Sequence, residues 1–269
     1  MDTTHKNATP VIDTHVHLDE LEDLEAAIDE AKRIGVVAVI AVGSDQKSNE
    51  RVVEICRQYH RFVYPALGLH PWELGNLDRD GISKALKFIE QMNQEIVAIG
   101  EVGLDYDKRV TRRAGKELQK AVLREILSLA REYQKPVILH SRYAWQDCFQ
   151  LVKDAGIDAG KAVFHWFTGF TSVLRNIVDA GYFVSATPAA EYHEEHRRAI
   201  KEAPLDRLLL ETDTPVTYGR ETKYQSRPAD IIRSLKAVAT LKGIDEVTAA
   251  SQTTENAVKL FGLALLHLD

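Results

Sequence analysis

The sequence predicts a single-domain α/β fold, a (β/α)8 barrel of the TIM type. Its 269 residues suit one such barrel. Short apolar segments alternate eight times with longer amphipathic ones, and no linker rich in proline and glycine separates them. Several apolar segments run directly into a histidine or a carboxylate, as barrel strands do at the end that carries an active site.

The first apolar segment begins with Val11 and Ile12, which indicate a short buried strand. Residues 36–42 are almost all apolar, which is typical of a strand buried on both faces, and Gly35 before them ends a helix. Residues 117–133 place their apolar side chains on one helical face. The other predicted strands cover residues 62–69, 95–100, 136–139, 162–164, 182–186 and 207–210. The other predicted helices cover residues 21–34, 49–59, 81–92, 145–155, 172–180, 191–202, 228–241 and 245–261.

An open, doubly wound sheet is the alternative arrangement of such units. In that fold the ligand crevice lies at one switch point, so few strands contribute to it. Here ligand-type residues follow the first, fourth, fifth, sixth and eighth predicted strands. Only a closed ring brings those five strand ends together, which favours the barrel.

The composition is that of an ordinary globular protein, with 45% hydrophobic and 28% charged residues. The net charge of −6 excludes a globally basic surface. If the substrate is a phosphate polymer, metal ions and a few basic residues at the site must neutralise its charge. Residues 1–10 are polar and are expected to form a flexible tail rather than a signal peptide. Because no apolar run approaches the ~20 residues of a membrane span, we expect one cytoplasmic domain over residues 1–269, with no membrane contact and no evident protein partner.

A pair of histidines closes the first predicted strand. Residues i and i+2 of a strand point to the same side, so His15 and His17 converge on one point. Two imidazoles without nearby thiols suit a borderline metal such as zinc. Taken alone, such a pair is equally consistent with chance at a strand end.

Further ligand-type residues follow other predicted strands and strengthen the hypothesis of a metal site. Each alone has a plain structural explanation, but buried charges gathered at one end of a barrel are costly without a cation. Four imidazoles and two carboxylates exceed the needs of one tetrahedral metal and suit two adjacent ions sharing a carboxylate. Such a pair activates water and stabilises the attacking and leaving oxygens. The predicted metal ligands are His15, His17, Glu101, His140, His165 and Asp213.

Five motifs occur in order along nearly the whole chain. They are His15-Val16-His17, Gly68-Leu69-His70-Pro71, Gly100-Glu101-Val102-Gly103-Leu104-Asp105-Tyr106, Pro136-Val137-Ile138-Leu139-His140-Ser141-Arg142 and Glu211-Thr212-Asp213-Thr214-Pro215. This set resembles the TatD family of metal-dependent deoxyribonucleases, which are amidohydrolase-like barrels.

The resemblance implies a divalent-metal site that cleaves DNA phosphodiester bonds, often from the 3′ end. By position it implies that His15 and His17 hold one ion together with Asp213. It also implies that His140 and His165 hold a second ion and that Glu101 bridges the two ions. The metal remains open between zinc, magnesium and manganese.

Three residues are assigned roles beyond metal binding. Asp213 is the predicted general base, because it binds metal through one oxygen and keeps the other free, whereas a bridging Glu101 uses both. His70 ends the third strand and is not needed by either ion, so we expect it on the substrate phosphate. Arg142 follows His140 by two residues, and its guanidinium suits phosphate oxygens, although pairing with a local carboxylate is the alternative.

Two segments depart from the family pattern and bear on the substrate. Trp166 and Thr168 stand where the family often has a smaller residue and a serine, and residues 225–228 replace an Arg-Asn-Glu-Pro segment. Two other functions therefore stay open. One is hydrolysis of a different amide, lactone or phosphoester, and the other is a non-catalytic metal-binding scaffold. The pair His193 and His196 lacks the i, i+4 spacing of zinc proteases and is expected on a solvated helix face.

Overall fold

A computed structural model describes residues 9–264, and a ring of eight parallel strands forms its centre. The strands follow one another in chain order: β1 (Val11–Val16), β2 (Val36–Val42), β3 (Val63–Leu69), β4 (Ala98–Gly103), β5 (Val137–His140), β6 (Ala162–Phe164), β7 (Phe183–Ala186) and β8 (Leu208–Leu210). The ring closes just beyond β8, where the amide of Asp213 donates to His15 and that of His17 to Thr214. The predicted barrel is confirmed. Residues 1–8 of the expected tail lie outside the described part of the chain.

Helices connect the strands and form the outer layer of the barrel. They are α1 (Leu24–Arg33), α2 (Gln46–Gln58), α3 (Arg79–Gln91), α4 (Lys108–Thr111), α5 (Lys116–Glu132), α6 (Trp145–Asp154), α7 (Thr171–Asp179), α8 (Glu194–Glu202), α9 (Ile231–Lys242) and α10 (Glu246–Phe261). Every predicted helix is present with small shifts at its ends. The prediction did not include the short helix α4 or a hairpin of β9 (Thr217–Tyr218) and β10 (Tyr224–Gln225). None of the described helices is long and apolar enough to cross a membrane.

Local sequence signals begin and end several helices. Asp45, Asp78 and Asp245 each precede a helix, and their carboxylates accept a hydrogen bond from a backbone amide of its first turn. Gly243 and Gly262 end α9 and α10 in the left-handed conformation, with φ of 66° and 63°. Only glycine adopts that conformation without steric cost, so each of these residues ends its helix.

The apolar side chains form two layers, one inside the ring and one between the ring and the helices. Along β2, Ala38 and Ile40 face the interior cluster whereas Val39 and Ala41 face the helices. This period of two is that of a strand buried on both faces, as the apolar sequence of β2 predicts. The two packed layers hold the ends of the strands, and with them the polar residues that follow, in fixed positions.

An irregularity between β3 and β4 positions Glu101. The strand register shifts opposite Gly68, and a Cβ atom at this position would overlap the backbone of Glu101. The Asn49 side chain bonds the amide and the carbonyl of Gly68, at 3.0 and 2.8 Å, and so replaces ladder hydrogen bonds. The predicted end of the fourth strand at residue 100 was wrong, because β4 continues past Glu101 to Gly103.

His196 corrects another expectation, since it is fully buried rather than solvated. Its Nδ1 lies 3.0 Å from the carbonyl oxygen of Phe167, and its Nε2 accepts a hydrogen bond from the amide of Thr187 at 3.1 Å. The ring therefore ties α8 to the segments after β6 and β7. His193 accepts a hydrogen bond from the amide of His196 and caps α8.

The environment of His196 predicts acid sensitivity of the fold. Burial lowers the pKa of His196 to about 4, and protonation of Nε2 would also remove its hydrogen bond from Thr187. In the unfolded chain this imidazole takes up its proton near pH 6.5. The contribution of His196 to the free energy of unfolding is therefore complete above that pH and is lost as the pH drops towards 4. The lost contribution is on the order of 3 kcal/mol.

We expect His196→Gln to flatten the pH dependence of stability. Urea unfolding of the wild-type protein and the variant between pH 4 and 7 measures the free energy of unfolding of each. Burial also lowers the pKa of His70 to about 4, but His70 is present in both proteins, so its contribution cancels in the difference between the two free energies. Parallel curves for the two proteins would contradict the assignment.

Candidate metal centre

The structure brings the six predicted ligands together at the C-terminal end of the barrel. His15 and His140 belong to β1 and β5, whereas His17 and His165 directly follow β1 and β6. The carboxylates come from the irregular part of β4 and from the segment after β8. The nitrogen and oxygen atoms of the six residues form two clusters, one around each oxygen of the Glu101 carboxylate.

The first cluster surrounds Oε2 of Glu101. The Nε2 atoms of His15 and His17 are 3.4 Å apart and lie 3.3 and 3.5 Å from Oε2. Both are 3.6 Å from Oδ1 of Asp213. A tetrahedral ion with bonds of about 2.1 Å spaces its ligand atoms roughly 3.4 Å apart. The separations of the two nitrogens from each other and from both oxygens therefore match those of ligands on one divalent metal ion.

The second cluster surrounds Oε1 of Glu101. His165 Nε2 lies 2.8 Å and His140 Nδ1 2.9 Å from this oxygen, and the two nitrogens are 3.4 Å apart. The residues thus also fit a second ion that shares Glu101 with the first. The role of all six residues as metal ligands stays a prediction.

His70 approaches the second cluster but is arranged as a hydrogen-bond donor. Its Nε2 lies 3.4 Å from Oε1 of Glu101. Its Nδ1 accepts a hydrogen bond from the amide of Trp72 at 3.2 Å, and burial lowers the pKa of the imidazole to about 4. A neutral ring whose Nδ1 accepts must carry its proton on Nε2. His70 therefore presents an N–H group to the centre, and its contact with the substrate phosphate stays a prediction.

The charges of the cluster compensate one another. Burial opposes ionisation of Glu101 and Asp213, yet the surrounding histidines lower the pKa of both carboxyl groups. Burial also opposes protonation of His17, His140 and His165, but the neighbouring carboxylates raise the pKa of all three. Since a histidine nitrogen must be deprotonated to bind metal, a metal ion at this centre would compete with these protons.

Two acidic residues behind the ligands were missed by sequence reasoning. Oδ2 of Asp105 lies 2.9 Å from Nε2 of His140, on the side of the ring away from Glu101. Oε2 of Glu211 lies 3.5 and 3.7 Å from the Nδ1 atoms of His165 and His15. The signal was present, because Glu211 precedes Asp213 by two residues and stands in the same motif.

Arg142, predicted to contact substrate, also pairs with Asp105. Its Nε lies 3.0 Å from Oδ2, and Trp72 donates its indole N–H to the same oxygen at 2.6 Å. The guanidinium lies 5.3 Å above the Trp72 ring, and 31% of the side chain is exposed. The local carboxylate therefore orients the guanidinium at the rim of the centre.

The two departures from the family pattern take different positions. The amide of Trp166 donates to Oε1 of Glu211 at 2.8 Å, so this residue supports the centre through its backbone. Arg227 pairs instead with Asp23 and Glu30, at 2.7 and 2.9 Å, on the side of α1. Its side chain thus fixes the segment after β10 to the outer layer and is committed away from the metal centre.

A closed parallel barrel with histidines and carboxylates clustered at its C-terminal end is typical of metal-dependent hydrolases. The model of one family, TatD related DNase, matches residues 12–262. The chain belongs to this family.

Several known proteins are similar to the chain over most of its length. The human protein Deoxyribonuclease TATDN3 is 35% identical, with 93% of this chain and 94% of that protein aligned. A metal-dependent hydrolase of Bacillus subtilis, YabD, is 32% identical over 93% and 98% of the two chains. The crystal structure of YJJV, a TatD homologue from Escherichia coli, superposes with a TM-score of 0.86 at 28% identity and covers 96% of this chain and 100% of that one.

Proposed function

We propose that this protein is a deoxyribonuclease that hydrolyses DNA phosphodiester bonds with two divalent metal ions. The observation that carries the proposal is the division of ligand atoms between the two oxygens of Glu101, which suits a pair of ions sharing one carboxylate. Membership of the family and the names of the relatives support DNA as the substrate. We also place the protein in the cytoplasm, in keeping with its free, buried cysteines Cys56 and Cys148.

The residues of the chain divide the chemistry among them. Bound divalent ions increase the acidity of water and stabilise negative charge on phosphate oxygens. The shortest contacts of the Asp213 carboxylate with His15 and His17 go through Oδ1, which leaves Oδ2 to accept the proton of the attacking water. The N–H of His70 and the guanidinium of Arg142 bind and orient the phosphate.

Exposed aromatic side chains around the centre suit a nucleic-acid strand. Trp72, Tyr143 and Phe170 are 47%, 60% and 66% exposed, and they stand in the segments after β3, β5 and β6. Trp145 links the last two, with ring centroids 5.9 and 5.6 Å from theirs. Nucleic-acid bases stack on such side chains. Stacking would add affinity for a strand that the net charge of −6 does not attract electrostatically.

The test is a nuclease assay of metal-free protein restored separately with zinc, magnesium or manganese. We expect about two ions per chain and release of nucleotides from DNA. Single- and double-stranded DNA and RNA, labelled at either end, then define the substrate and the direction of cleavage. Hydrolysis of amide, lactone or phosphotriester substrates with no action on any nucleic acid would refute the proposal in favour of another amidohydrolase-type reaction.

Arg142→Ala is expected to raise KM for DNA about tenfold and to reduce its salt dependence, because one phosphate contact is lost. Metal content should stay unchanged. Arg109→Ala is the matched control, since Arg109 is 79% exposed and pairs only with the neighbouring Asp107 among the ion pairs of the described residues. Unaltered kinetics of Arg142→Ala, or loss of metal, would show that Arg142 serves Asp105 rather than substrate.

A further inference from the structure

We propose that Glu211 is a positioning residue that fixes the tautomer of His15 and His165 and thereby couples the two metal positions. The inference rests on the proposed metal-dependent function and extends it to a residue outside both ligand sets. Glu211 is fully buried, directly after β8, where it faces the sides of both rings opposite Glu101.

Three unpaired polar atoms meet at this point. Oε2 of Glu211 and the Nδ1 atoms of His15 and His165 are all buried and lack a hydrogen-bond partner among the described residues. The two rings are stacked, with centroids 4.1 Å apart and planes inclined by 16°, so both nitrogens face the same oxygen. At 3.5 and 3.7 Å they are each about 0.6–0.8 Å beyond a hydrogen bond, a distance that a small ring rotation closes.

The other oxygen of Glu211 is already held by two donors. Oε1 accepts hydrogen bonds from Ser185 Oγ and from the amide of Trp166, both at 2.8 Å. The orientation of the carboxylate is therefore fixed, and Oε2 is directed at the histidines. One carboxylate oxygen has lone pairs for two N–H donors, so it can serve both rings at once.

The tautomer follows from this geometry. A neutral imidazole that binds metal through Nε2 carries its proton on Nδ1, and an acceptor beside Nδ1 stabilises that form. His15 Nε2 belongs to the first cluster and His165 Nε2 to the second. Glu211 therefore holds one histidine ligand of each metal position in the tautomer that binds metal. Asp105, in contrast, contacts only His140 among the six predicted ligands.

Glu211→Gln separates this role from a merely structural one. The amide oxygen of the new side chain will take the Oε1 position, where two donors require an acceptor. Its NH2 group then faces both Nδ1 atoms and favours a proton on Nε2, which blocks metal binding. Ser185→Ala is the matched control, because it removes a donor to Oε1 and leaves the carboxylate in place.

Calorimetric titration of the metal-free proteins with zinc measures the zinc affinity of each position without any substrate. We expect both zinc affinities to fall about 10–100-fold in Glu211→Gln and to stay within about threefold in Ser185→Ala. Asp105→Asn should weaken only one of them. Unaltered zinc binding in Glu211→Gln, or weakening at one position only, would overturn the proposal. His15, His165 and Glu211 also lie close enough together to hold a metal ion themselves, so a third zinc ion that Glu211→Gln loses would overturn it too.

Nitrogen-15 spectra of the histidine rings test the same inference in the unmodified protein, should the Gln variant fail to fold. With zinc bound, His15 and His165 should carry hydrogen-bonded protons on Nδ1, whereas coordination through Nδ1 would overturn the proposal. The outcome is independent of the nuclease assay. A protein that binds two zinc ions as expected and cleaves no DNA would refute the proposed function alone.

Discussion

Asp213→Asn should lower kcat for DNA cleavage by about 10²–10⁴-fold, the usual contribution of a general base. Asparagine keeps the size of the side chain and one oxygen towards His15 and His17, but it loses the charge and cannot accept the proton. The histidines around Asp213 lower the pKa of its carboxyl group despite its burial, so the residue is in its proton-accepting form at neutral pH.

The backbone makes asparagine the appropriate replacement at this position. Asp213 has a φ of 50°, in the left-handed region that asparagine and aspartate tolerate better than other side chains do. Its amide donates to the carbonyl of His15 at 3.0 Å, and its own carbonyl accepts from the amide of Val216. The variant should therefore keep the ring closure and the melting temperature.

Turnover, melting temperature and zinc content measured on one preparation distinguish two roles of Asp213. A general base predicts low turnover with an unchanged melting temperature and the second position still occupied. A residue that only stabilises the turn before Pro215 predicts the reverse, a lower melting temperature with near-normal turnover. The second result would remove Asp213 from the catalytic machinery.

Most of the fold was predictable because its signals are local. The continuous apolar sequence of β2 and the one-sided apolar face of α5 are read within a few positions of the chain, and each agrees with the structure. The position of the candidate ligands at one end of the barrel could be predicted for a related reason. In a closed parallel barrel every strand ends at the same rim, so a residue that follows a strand is placed without knowledge of its partners.

The remaining features depend on contacts between distant segments. Glu101 lies inside an irregular strand because Asn49 and Gly68 allow it, and nothing near residue 101 indicates this. His196 is buried by the segments after β6 and β7, which its own helix does not reveal. Asp105 and Glu211 lie behind the predicted ligands, and their histidine partners are 35 or more residues away in the chain. Side-chain pairing of this kind follows from tertiary geometry alone.

Glu101 is the residue that the two proposed metal positions share, so Glu101→Gln should have the broadest effect. In the native site one oxygen faces the cluster of His15 and His17, and the other lies within 2.9 Å of His140 and His165. Glutamine presents an oxygen to only one side and an NH2 group to the other. One position therefore loses a ligand outright, and the other keeps a neutral, weaker one.

We expect Glu101→Gln to retain at most one metal ion per chain and to lose more than about 10²-fold in kcat, since stabilisation of the attacking and leaving oxygens needs both ions. Elemental analysis and the nuclease assay on the same sample measure the two effects. Glu211→Gln is the informative comparison, because it makes the same chemical change beside two of the same histidines but leaves every ligand in place. At saturating zinc Glu211→Gln should regain its ions, whereas Glu101→Gln should not. Full occupancy of both positions in Glu101→Gln would show that its carboxylate does not bridge the two ions.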